Sequence, residues 1–189
     1  MSDTLKLAII MGSTRVDRFC PVPTNWFAEQ AKIHGSFDTD IIDLIETEFP
    51  LRLSAENTPS LAALSSRLEA ADAFVVVTPE YNHSFPGPLK IAIDHFNAEW
   101  HAKPVGLISY GGMAGGQRAA EGLRLVFPEL NAITIRNTLS FNNFWEKFDE
   151  QGNPVDAEAA NTAAKGFLDQ LCWWATTLKS GRDHQPFGS

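Results

Sequence analysis

Residues 5–11, LKLAIIM, form a near-continuous apolar run closed by Gly12, and this run limits the chain more than any other stretch. A strand that is apolar at consecutive positions must be covered on both faces, the pattern of a central strand in a parallel sheet. A polar loop follows, with Ser13, Thr14, Arg15 and Arg18 ahead of Pro21 and Pro23. Hydroxyls, main-chain N–H groups and guanidinium forks delivered to the start of a helix suit an anion such as phosphate. The same residues also make an ordinary strand-to-helix turn with solvated arginines. Spacing alone leaves both readings open.

A second run of this kind is AFVVVT, residues 73–78, which leads into Pro79, Glu80, Tyr81, Asn82, His83 and Ser84. Between the two runs, residues 24–34 carry a helical apolar face ended by Gly35, and residues 37–44 read as a strand. Residues 49–57 read as a loop. Thr58 and Pro59 then open a helix as N-cap and first helical position. Further on, the pattern predicts a helix over 89–99, strands over 104–110 and 131–136, and a helix carrying Leu123, Val126 and Phe127. Residues 138–154 read as a long loop whose Phe141, Phe144, Trp145 and Phe148 are ordered by packing. A final helix is expected over 156–178, and 182–189 as a frayed tail.

Strands alternating with helices imply βαβ units around a parallel sheet. The expected fold is α/β, a flavodoxin-like three-layer sandwich with a five-stranded parallel sheet in the order 2-1-3-4-5, and one domain over 1–189. In that order the winding reverses between the first and third strands, and ligands sit at the carboxyl ends there. The loops so brought together are 12–20 and 79–84. The glycine-rich stretch 110–116 joins them, where a ligand ring can approach the main chain closely.

Charge narrows the partners. Acidic residues outnumber basic ones, 23 to 15, for a net charge of −8, and no basic stripe offsets this, so nucleic acid is not an expected partner. No apolar run approaches the ~20 residues of a membrane span. The start shows no secretory pattern, and Cys20 and Cys172 lack metal or disulfide spacing, so the expected location is the cytoplasm. His95, Glu99 and His101 do not make a metal-binding spacing, and no metal is expected.

The segments Gly12-Ser13-Thr14-Arg15 with Arg18, Thr78-Pro79-Glu80-Tyr81-Asn82-His83-Ser84 with Pro86 to Lys90, and Ser109-Tyr110-Gly111-Gly112 resemble the NADPH-dependent FMN reductase family. That resemblance covers roughly residues 5–141 and implies bound FMN, with NADPH or NADH as co-substrate. By position, Ser13, Arg15, Arg18, Phe19, Cys20, Pro21 and Val22 would hold the phosphate. Pro79, Glu80, Tyr81 and Asn82 would line the flavin ring, and Ser109, Gly111 and Gly112 its other edge. Val16-Asp17 and Cys20 depart from the family pattern, and Asp17 sets a negative charge beside the phosphate. The implied activity is ping-pong hydride transfer from NADPH through flavin to a quinone, flavin, azo or oxyanion acceptor. No catalytic side chain is required, and a homodimer or homotetramer is implied. Two alternatives stand beside it. One is a non-catalytic flavodoxin-like carrier, against which Arg15 in the cradle argues. The other is a degenerate member binding another phosphorylated ligand, motivated by Asp17 and Cys20.

Overall fold

The computed structural model describes residues 4–53 and 58–188. Five strands form one parallel sheet: β1 (Leu5–Met11), β2 (Phe37–Asp43), β3 (Ala73–Pro79), β4 (Pro104–Gly111) and β5 (Ile133–Asn142), in the order β2-β1-β3-β4-β5. β3 and β4 are buried at every position and β1 at all but one, whereas β2 and β5 are half exposed. This is the expected division between central and border strands.

Alternate residues of the central strands feed two cores. Leu7, Ile9, Val75 and Val77 pack toward α1 (Pro21–His34) and α5 (Ala157–His184). Ala8, Ile10, Phe74 and Val76 pack toward α2 (Pro59–Ala70), α3 (Gly87–Asp94) and α4 (Gln117–Glu129). Gly106 lets α5 come down on the sheet, because a Cβ there would stand 2.3 Å from the Phe167 ring. The helix starts follow local chemistry. Thr58 Oγ1 accepts the Leu61 N–H at 3.2 Å, Asp156 accepts that of Ala159 at 3.2 Å, and Gly35 closes α1 with φ 78°.

The structure corrects several expected boundaries. α1 begins at Pro21, three residues before position 24. α3 ends at Asp94 instead of running to 99. The Trp100 indole N–H takes the Ile93 and Phe96 carbonyls at 3.3 and 3.2 Å, and a short 3-10 turn over Ala98–Trp100 follows. β5 is ten residues long, not six, and absorbs the start of the expected loop at 138. Its pairing jumps from Thr134 opposite Val105 to Thr138 opposite Leu107. Arg124 covers that irregularity, donating to Ile135 O, Arg136 O and Thr138 Oγ1 at 2.8, 3.1 and 2.6 Å. Phe141, Phe144 and Phe148 do pack, but Trp145 is 59% exposed. α5 runs to His184, so residues 182–184 are helix, not tail: Arg182 donates to Ala102 O at 2.6 Å and pairs with Asp72. Of the loop expected over 49–57, residues 54–57 lie outside the described residues.

Candidate functional site

Pairing of Met11 with Val77, and of Pro79 with Tyr110, sets the carboxyl ends of β1, β3 and β4 side by side. The loops that leave them enclose a cavity of about 700 Å³. Arg15, Arg18, Phe19, Val22, Pro79, Glu80, Tyr81, Gly111 and Gly112 all line it. A roomier groove of about 850 Å³ lies between α1 and α5. That groove is away from the strand ends where α/β sheets place their ligands.

Other expected site residues stand behind the wall. Ser13, Cys20 and Ser109 are fully buried. Ser13 Oγ shares a hydrogen bond with the Tyr81 hydroxyl at 3.0 Å and so joins the first loop to the second. Cys20 Sγ donates to Val77 O at 3.4 Å, and burial pushes its thiol pKa up, so it is a packed neutral thiol. Ser109 Oγ and Ser140 Oγ both donate to Gly115 O, at 3.0 and 2.8 Å, and fix the third loop. Gly116, at φ 79°, has no space for a side chain: a Cβ would lie 2.7 Å from Tyr110 N.

The mouth of α1 differs from the cradle expected of a helix start. Pro21 and Pro23 carry no N–H, Val22 N donates to Phe19 O at 2.9 Å, and Thr24 N to Cys20 O at 3.3 Å. Neither Pro21 nor Val22 therefore has a main-chain N–H left free at the helix start. Arg18 is also placed otherwise than expected. One guanidinium nitrogen pairs with Asp43 at the end of β2, while its Nε and Nη1 are buried without an acceptor. The Arg15 side chain is exposed and meets no partner among the described residues. Asp17 is exposed on the cavity wall, in a left-handed conformation with φ 54°.

Glu80 acts through its carboxylate as well as its main chain. Oε1 pairs with Arg118 Nη1 at 2.6 Å, and Oε2 accepts the Arg118 N–H at 3.1 Å, in the first turn of α4. The second and third loops are thereby clasped together. Beyond Glu80, Tyr81 and Ser84 exchange both main-chain hydrogen bonds, at 2.8 and 3.0 Å, across Asn82 and His83. Asn82 is exposed at that tip, not on the wall.

Tyr110 and Phe144 line the cavity and were not among the expected site residues. With Phe19 they form an aromatic wall, at centroid distances of 5.5 Å for Phe19–Tyr110, 4.6 Å for Phe19–Phe144 and 5.4 Å for Tyr110–Phe144. Burial, and then the neighbouring Cys20, push the Tyr110 hydroxyl pKa up, so it stays neutral. Its position just before Gly111 was a usable signal. Phe144 follows a strand longer than periodicity indicated, and had none.

Comparison with known proteins agrees with this geometry. The chain is 40% identical over 150 residues to an NAD(P)H-dependent FMN reductase of Schizosaccharomyces pombe, covering 70% of this chain and 74% of that one. It is 29% identical over 176 residues to an FMN-dependent NADPH-azoreductase of Staphylococcus haemolyticus, covering 88% and 93%. In structure it is similar to FerB, a flavoenzyme NAD(P)H:(acceptor) oxidoreductase from Paracoccus denitrificans, with a TM-score of 0.75, 23% identity and coverage of 92% and 98%. That likeness carries the flavodoxin-like fold. The description NADPH-dependent FMN reductase matches residues 5–146, three quarters of the chain, and the chain belongs to that family.

Proposed function

We propose that the protein is an FMN-dependent NAD(P)H oxidoreductase whose cavity holds FMN. The phosphate would lie on the 13–20 loop, and the ring between residues 79–81 and 111–112. The observation that carries this reading is the convergence of three loops, from β1, β3 and β4, on one cavity of about 700 Å³. That size suits a cofactor. The residues present fit the group. Arg18 has buried guanidinium nitrogens with no acceptor, and Arg15 is a cation without a partner among the described residues. Gly111 and Gly112 leave main chain bare beside an aromatic wall.

Bound flavin supplies hydride acceptance from NAD(P)H and electron delivery to an oxidised acceptor. The chain's own residues bind and orient. Arg15 and Arg18 neutralise phosphate charge. Ser13 and Tyr81 lock the first two loops, and Glu80 fixes the third through Arg118. Phe19, Tyr110 and Phe144 exclude water from one side. Donor and acceptor would take turns at this same cavity, the ping-pong order, with quinone, flavin, azo or oxyanion acceptors. Homodimer or homotetramer assembly is part of the proposal. The unpaired Cys20 and Cys172 support a reducing compartment, the cytoplasm. No described helix is long and apolar enough to cross a membrane.

The test is an FMN titration followed by anaerobic addition of NADPH and of NADH, read by flavin absorbance. Binding with bleaching by the nicotinamide alone is expected. A protein that takes up no FMN overturns the reading. One that binds FMN but bleaches only with a partner reductase is a carrier.

A further inference from the structure

Arg18 is buried but poorly satisfied. Its side chain is 13% exposed, as is that of Asp43, and one terminal nitrogen meets the Asp43 carboxylate. Nε and the other terminal nitrogen are closed to solvent and have no acceptor. Every guanidinium nitrogen is a donor, so charged donors stand unmet in a buried place, which costs free energy. Arg124 shows the contrast: its Nε, Nη1 and Nη2 all find acceptors.

Asp43 is the fixed member of the pair. It ends β2 opposite Met11 of β1, beside the loop that carries Arg18. Its Oδ1 accepts the Ile45 N–H at 3.2 Å and opens the 3-10 turn Leu44–Glu46, so the main chain holds the carboxylate in place. Arg18 comes from a loop, on a long side chain that can turn. It lines the cavity, and Asp43 does not. Because the unmet nitrogens are closed to solvent, they meet a ligand in the cavity only if the guanidinium turns. A phosphate monoester is close to dianionic and offers several strong acceptor oxygens, against the single carboxylate oxygen that Arg18 now holds.

We propose that the Arg18–Asp43 ion pair is a latch on the phosphate cradle, in which Asp43 holds Arg18 back until a phosphate monoester takes the guanidinium over. Asp43 is then a positioning residue that sets how tightly FMN is held. This rests on the reading that the cavity holds FMN.

The test measures FMN and riboflavin binding to the FMN-free protein by flavin fluorescence, in wild type, D43N, R18Q and the double variant. Riboflavin lacks the phosphate and is the internal control. Asparagine keeps an oxygen for the Ile45 N–H and removes the charge that holds Arg18. D43N should bind FMN about tenfold tighter, since no hydrogen bond between charged groups has to break. Its riboflavin affinity should stay within about twofold of wild type. R18Q should bind FMN about tenfold more weakly. Adding D43N to R18Q should then change FMN affinity less than about twofold, because no guanidinium remains to be released. A crystal structure of the FMN-loaded wild type should show Arg18 on phosphate oxygens and parted from Asp43.

FMN affinity that is unchanged or lowered in D43N, or unchanged in R18Q, overturns the proposal. So does an equal gain for riboflavin. An equal gain in the R18Q background also overturns it, since Asp43 would then be a plain negative charge near the phosphate. So does an FMN complex in which Arg18 still holds Asp43. Each of these leaves the functional reading standing. A wild type that binds no FMN overturns that reading, and this inference with it.

Discussion

The two ends of the sheet are built on opposite terms. At the amino ends of the strands the two buried charges among the described residues, Asp72 and Lys103, are both met, although one ring nitrogen of the nearby His34 is buried without a partner. Asp72 accepts the Lys6 N–H at 3.0 Å and pairs with Lys179 and Arg182, at 2.8 and 3.3 Å. Lys103 donates to Leu68 O and Glu69 O, both at 2.9 Å, where α2 ends. At the carboxyl ends, Arg18 has orphaned nitrogens, Arg15 has no partner among the described residues, and Asp17, Asn82 and His83 hold left-handed backbone. The chain stabilises itself at the floor and leaves interactions unmade at the rim, where a ligand can complete them.

The sharpest way to break this contrast is to weaken the floor. Asp72→Ala leaves Lys179, Arg182 and the Lys6 N–H without their carboxylate and should lower unfolding free energy by about 3 kcal/mol. Urea denaturation reads it, and FMN affinity should stay within about twofold. A matching loss of FMN affinity would show that the two ends are not separate.

Next is the alkaline limb of stability. Burial, and then the neighbouring Arg182, lower the Lys103 pKa from 10.5 to about 8. Between those values the unfolded chain holds a proton that the folded chain has shed, so this group makes stability rise with pH across that window. Below pH 8 it is charged in both states and its burial penalty is fully present. From pH 8 to 10.5 the wild type should gain on the order of 2 kcal/mol relative to Lys103→Met, whose curve lacks that rise.

At the rim, Arg15→Ala should weaken FMN binding about thirtyfold, roughly 2 kcal/mol for a charge-assisted contact. The melting temperature of the FMN-free protein should not change. Smallest is Glu80→Gln, which keeps the acceptor for the Arg118 N–H but loses the ion pair, itself half exposed on the arginine side. About 0.5–1 kcal/mol is expected, seen as a several-fold faster release of FMN in stopped flow.

The sequence was most legible where the chain is most constrained. β1, β3 and β4 announced themselves because strands covered on both faces admit only apolar residues, and the strand order followed. The three loops of the cavity were legible as motifs. Roles that depend on contacts distant in the chain were not. Nothing local tells that Arg18 turns to Asp43, 25 residues on, or that Arg182 returns to Asp72. The end of α3 was hidden for the same reason: the Trp100 indole competes for its last carbonyls, and periodicity does not register a side chain doing so. The bulge in β5 hid half of that strand, since two extra residues reset the alternation on which strand recognition depends.

Both border strands carry an arginine on their main chain. Arg67 donates to Ile41 O of β2 at 2.8 Å, as Arg124 does to Ile135 O and Arg136 O of β5. A further strand docking at either side would have to evict a guanidinium and leave it without those oxygens. At those carbonyls the guanidinium groups therefore disfavour a sixth strand, and with it the sharing of a ladder between copies there.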